Sequence, residues 1–113
     1  MSKKDEKIAL YSEDIKKFDG GKLDADFLAI VVKNLGPSIY NANAEKVSCS
    51  DQIELDRVRT NFIEKKLDVH DEALANKTMQ EVCEQVGKSN RNKYRATFYY
   101  LIAKKLNKES ALS

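Results

Sequence analysis

Asp24-Ala25-Asp26-Phe27-Leu28-Ala29-Ile30-Val31-Val32-Lys33-Asn34-Leu35-Gly36-Pro37 reads as one complete helix with its start and stop signals attached. Phe27, Leu28, Val31, Val32 and Leu35 recur at three- and four-residue steps, which gathers them on one wide apolar face. Asp24 precedes the run as an N-cap, because its carboxylate can accept from a free first-turn amide. Gly36 supplies a left-handed residue at the end, and Pro37 blocks continuation. A face this wide predicts a central helix over residues 25–35.

The same period extends outward in both directions. Upstream, Ile8, Tyr11, Ile15 and Phe18 form one stripe, so a helix is predicted over 3–18, capped by Ser2 and stopped at Asp19-Gly20-Gly21. Downstream, a third helix is predicted over 51–67, capped by Ser50. Leu55, Val58, Phe62 and the aliphatic stem of Lys66 line its inner face. A fourth is predicted over 71–86, with Leu74, Thr78, Val82 and Val86 in register, Met79 and Cys83 alongside, and Gly87 ending it. A fifth is predicted over 90–106, capped by Ser89, with Tyr94, Phe98, Leu101, Ile102 and Leu106 facing inward. Residues 37–50 have turn chemistry, within which Asn43 could cap a short helix over 44–47. No strand pattern or internal repeat is visible.

Composition agrees with this reading. The chain has 113 residues, 42% of them apolar and 34% charged, with four Gly and one Pro. Scarce helix breakers argue against a sandwich or barrel, which would need many turns. The expected architecture is all-α: a single domain over 1–113 of five main helices joined by short turns, frayed at about 1–3 and 108–113. A chain of this length buries roughly two-thirds of its unfolded surface and can fold without a metal or disulfide.

The charged N-terminus, Ser2-Lys3-Lys4-Asp5-Glu6-Lys7, is followed by no signal-peptide core, and no apolar run approaches a membrane span. Cys49 and Cys83 stand 34 positions apart and form no CxxC pair, so they are expected as two reduced thiols. These features together predict a cytoplasmic protein with no membrane association.

Catalytic chemistry finds little support. The single histidine, His70, has no HExxH partner, and its neighbours Asp68, Asp71 and Glu72 lack calcium-loop spacing. Gly87-Lys88-Ser89 lacks the earlier glycine of a nucleotide loop, since Val82 stands there. The expectation is a non-enzymatic protein with no cofactor, no metal and no catalytic residue.

Charge distribution is more informative than net charge. Residues 1–86 carry 13 basic and 17 acidic side chains, whereas residues 87–113 carry seven basic and one acidic. Lys88, Arg91, Lys93 and Arg95 would crowd the start of the fifth helix, where the dipole favours anions and not cations. Two readings explain them. The acidic body, or a partner copy, neutralises the cluster. Alternatively an anion such as nucleic-acid phosphate docks there, in a layout like a helix-turn-helix. Tyr94, Phe98, Tyr99 and Tyr100 broaden the apolar surface of the same helix. They read as core, or as an interface for self-association or an unknown protein partner.

Three segments carry a resemblance. Gly36-Pro37-Ser38-Ile39-Tyr40-Asn41-Ala42, Asn61-Phe62-Ile63-Glu64-Lys65-Lys66-Leu67, and Gly87-Lys88-Ser89-Asn90-Arg91-Asn92-Lys93-Tyr94-Arg95-Ala96 with Tyr99-Tyr100-Leu101 resemble the small bacterial proteins of domain-of-unknown-function family 2853. The likeness implies a small helical protein with no assigned activity, and no catalytic residue carries over from it. The reading that follows is a protein acting through contacts with other proteins, with nucleic-acid or anion binding through residues 88–95 as the alternative.

Overall fold

The computed structural model describes residues 2–87, 89–90 and 92–112. Among the described residues, five α-helices make up the all-α domain: α1 (Lys3–Phe18), α2 (Ala25–Leu35), α3 (Gln52–Val58), α4 (Glu72–Val86) and α5 (Arg95–Leu106). No strand occurs among the described residues.

The first two helices begin and end where their side chains dictate. Ser2 accepts from the Asp5 amide at 3.1 Å, and Asp24 accepts from the Phe27 amide at 3.1 Å. Gly36 closes α2 at φ 61°. A 3-10 turn over Gly36–Tyr40 follows, with Pro37 inside its first turn. Packing then departs from the sequence expectation. The helix at the centre is α5, touched by α1, α2 and α4, while α2 lies to one side against α1 and α5. Small residues explain the exchange. Ala96, Thr97 and Ala103 are buried on α5 beside Phe98, Tyr100, Leu101 and Ile102, so neighbouring backbones can approach it from three directions.

The third helix is shorter than its pattern, with Asp51 and not Ser50 as its cap. From Arg59 to Glu64 the chain winds as a π-helix. The amides of Lys65 and Leu67 reach back five residues, to the carbonyls of Thr60 (3.3 Å) and Phe62 (2.9 Å). The wider turn delays the inward face by one position. Leu67 is therefore fully buried, and Lys66, expected to lie along the core, is exposed.

Two further expectations are corrected. The short helix over 44–47 is absent. The Asn41 carboxamide instead accepts from the amides of Asn43 and Ala44, turning the chain into an extended stretch. That stretch pairs with the approach to α5: the Val47 amide donates to the Lys93 carbonyl at 2.8 Å, and Lys46 opposes Tyr94 in an isolated antiparallel bridge. The two cysteines are not separate thiols. The 41–51 segment brings the Cα atom of Cys49 to 6.0 Å from that of Cys83 on α4, and the two form a disulfide. Sequence spacing carries no information about such proximity. With the thiols joined, they offer no argument for a reducing compartment. No described helix is long and apolar enough to cross a membrane.

Candidate binding cleft

The fifth helix starts five residues later than its sequence suggests. Tyr94 occupies the N-cap position and gives no side-chain cap, and Arg95 is the first helical residue. Asn90 accounts for part of the delay. Its carboxamide donates to the Val86 carbonyl at 3.0 Å and accepts from the Asn92 amide at 2.9 Å, a local bonding pattern that competes with helix. Residues 90 and 92–94 thus lie in the connection, and the helix-turn-helix layout is lost.

The sequence-predicted basic residues are dispersed accordingly. Lys88 and Arg91 lie outside the described residues. Lys93 is buried, and its ammonium donates to the Asn90 carbonyl at 2.6 Å. Arg95 turns inward. Its Nε donates to the Ala44 carbonyl at 2.8 Å, Nη1 to the Tyr99 hydroxyl at 3.2 Å, and Nη2 forms an ion pair with Glu54 of α3. Burial works against the charge, but Tyr99 and Glu54 outweigh it and hold the guanidinium above its ordinary pKa. The aromatic residues divide in the same way. Phe98 and Tyr100 are each 1% exposed, so those two rings serve the chain's own core, while Tyr94 and Tyr99 are partly covered.

Tyr99 leads to a cleft with an aromatic floor. Its ring stacks on Phe62 with centroids 3.9 Å apart and planes 12° off parallel. Phe62 sits on the π-helix, a conformation often kept at functional positions. The pair floors a cleft of about 360 Å³ between α2 and the π-helix. Leu35 and Ala44 add apolar wall, and Asn34, Asn61 and Lys66 stand at the exposed mouth. Within it, the Ser38 hydroxyl donates to the Leu35 carbonyl at 2.8 Å, and the Tyr99 hydroxyl faces Arg95. Neither hydroxyl meets a base.

A second polar cluster lies behind the start of α5. Glu45 is buried and accepts from Lys7 at 2.7 Å and from the Tyr11 hydroxyl. Burial, followed by the Glu45 carboxylate, pushes the Tyr11 phenol well above its ordinary range. Asp14 is buried against α5 and accepts from Thr97 at 2.7 Å. Burial raises its carboxyl, with the Thr97 bond and Lys17 opposing. Glu45, Glu54, Asp14 and the cleft mouth were not singled out from the sequence. Asn34, Asn61 and Lys66 fell inside quoted stretches without being given a site role, and no local pattern marks an acid that is buried by distant elements.

The model of the family described as "Protein of unknown function (DUF2853)" matches residues 10–110. The chain belongs to this family. The match covers all of α2 to α5 and the last nine residues of α1. It therefore includes both walls of the cleft and both buried acids that meet α5's first turn. No curated protein matches the chain. Among the described residues, no group of three or more His, Cys, Asp or Glu side chains is placed to hold a metal ion.

Proposed function

We propose that this family member acts by contact with another protein, without catalysis, and that the cleft floored by Tyr99 and Phe62 is its contact site. The observation that carries the reading is the division of labour inside the cleft. Its hydroxyls and the Arg95 guanidinium are spent on internal bonds, while its apolar walls, the side-chain oxygen of Asn34 and the carboxamide of Asn61 remain available to an incoming chain. Such a mix of apolar floor and polar rim suits recognition.

Phosphate binding through residues 88–95 is the weaker reading on this geometry. Arg95 is paired with Glu54, and the Lys93 ammonium is turned onto the Asn90 carbonyl. A nucleic-acid footprint would use such groups at the surface.

A photo-crosslinking amino acid at position 61, in cells expressing the full chain, tests the proposal. Discrete protein adducts are expected, with none from the same group at Gln80, an exposed position on α4. An adduct of twice the chain mass would identify the partner as a second copy. Adducts with nucleic acid, or no adduct from position 61, would overturn the proposal.

A further inference from the structure

The cleft does not stand alone. It shares Asn34 and Lys66 with an open depression lined also by Ile30, Lys33 and Leu112. That depression in turn shares Lys33 with a smaller one, of about 160 Å³, against Lys4, Val32, Ile39 and Tyr40. Through these shared lining residues the three depressions succeed one another along α2 into its 3-10 turn, and together they are called the groove. The groove is polarised. Lys4, Lys33 and Lys66 are exposed along it, and among the described residues no Asp or Glu lines any of the three depressions, in a chain with 18 acidic residues. Among the described residues, none of these three lysines is held in an ion pair. Apolar surface runs between them, including Tyr40, which is 49% exposed.

Resting on the contact function proposed above, we infer that the groove accepts an acidic segment of a partner protein, anchored by an aromatic or branched aliphatic side chain in the Tyr99–Phe62 cleft. Charge complementarity selects the acidic segment, since three lysines line the groove and, among the described residues, no Asp or Glu does. The groove's length selects a polypeptide, because a compact ligand would occupy one depression and leave the other two empty. Asn34 donates its amide to the Ile30 carbonyl at 2.9 Å, which leaves its side-chain oxygen to accept from a passing backbone. Single-stranded nucleic acid is disfavoured by the floor itself. Phe62 is 3% exposed and lies face to face with Tyr99, so Phe62 offers no free face, and Tyr99 has one face already covered, where base stacking would need an open ring.

Selection of displayed random dodecapeptides on the full, oxidised chain tests the inference. Recovered peptides are expected to carry Asp and Glu around an aromatic or branched aliphatic residue. In fluorescence anisotropy, a selected peptide should bind roughly tenfold more weakly to the Lys33→Glu, Lys66→Glu double variant. Both positions are exposed, so an unchanged thermal melt would verify that the variant is folded. Recovery of no peptide, recovery of peptides without acidic residues, or undiminished affinity in the double variant would overturn the inference, as would tighter binding of an oligothymidylate probe. The position-61 crosslink separates this failure from failure of the contact function. Adducts that persist at full yield in the double variant remove the acidic partner and keep the contact site. Loss of adducts from the wild-type chain removes the contact site itself.

Discussion

The two ends of α5 are closed by different means. Its C-terminal end is local. Asn107 takes the left-handed conformation at φ 55°, and the Lys108 amide returns to the Ala103 carbonyl at 3.0 Å. Its N-terminal end depends on residues some 40–50 positions earlier. The Arg95 amide donates to the Glu45 carbonyl at 2.6 Å, while the Arg95 side chain spans Ala44 and Glu54. A local cap forms with the helix. A tertiary cap forms only when the 41–54 region has already arrived. The start of α5, and with it one wall of the cleft, is therefore tied to the cooperative assembly of the whole domain.

The contrast is broken most severely by removing the distant partner. Glu54→Ala leaves the Arg95 guanidinium without its counter-ion in a largely covered site. It should lower unfolding free energy by about 4 kcal/mol in urea titration. The next largest effect comes from freeing the segment that carries these partners. Replacing both Cys49 and Cys83 by Ser should cost about 3 kcal/mol, chiefly by releasing the unfolded chain from a closed loop. The wild-type chain under reductant should show a similar loss.

The local end should be more forgiving. Asn107→Ala forces a Cβ-bearing residue without Asn's tolerance into a left-handed position, at a cost of about 1 kcal/mol, and Asn107→Gly should cost nothing. Paired thermal melts would check both. The smallest change sharpens the picture along α5's buried side. Asp14 titrates above its ordinary range when folded, so in the window between its unfolded and folded values only the unfolded state gives up its proton. Stability falls as pH rises through that window. Asp14→Asn keeps an acceptor for Thr97 and cannot ionise. Its melting temperature should exceed the wild type's at neutral pH and converge on it below about pH 4.

What could be read from the sequence follows the same division. The bounds of α1 and α2, and the Ser2 and Asp24 caps, are encoded within a turn or two of themselves. Ser2 needs only the Asp5 amide, and Asp24 only that of Phe27. The start of α5 was misplaced because Asn90 and the pairing of Val47 with Lys93 override a segment whose own periodicity favours helix. The π-helix escaped for a related reason. One extra residue in a turn changes the hydrogen-bond register without changing composition. Burial then passed from Lys66 to Leu67, and that single step put a lysine at the mouth of the cleft. The Cys49–Cys83 pairing and the Glu54–Arg95 pair join residues 34 and 41 positions apart, beyond the reach of any local rule.

The disulfide also has a mechanical consequence. Residues 50–82 lie inside a covalent ring, and that ring contains Asn61, Phe62 and Lys66 from one side of the cleft. Pulling the chain by its ends cannot straighten this portion while the bond is intact, which withholds on the order of 110 Å of contour length from the stretched molecule. A protease that cuts once within the ring opens it without parting the pieces. Such a nicked chain would run as two fragments only after reduction.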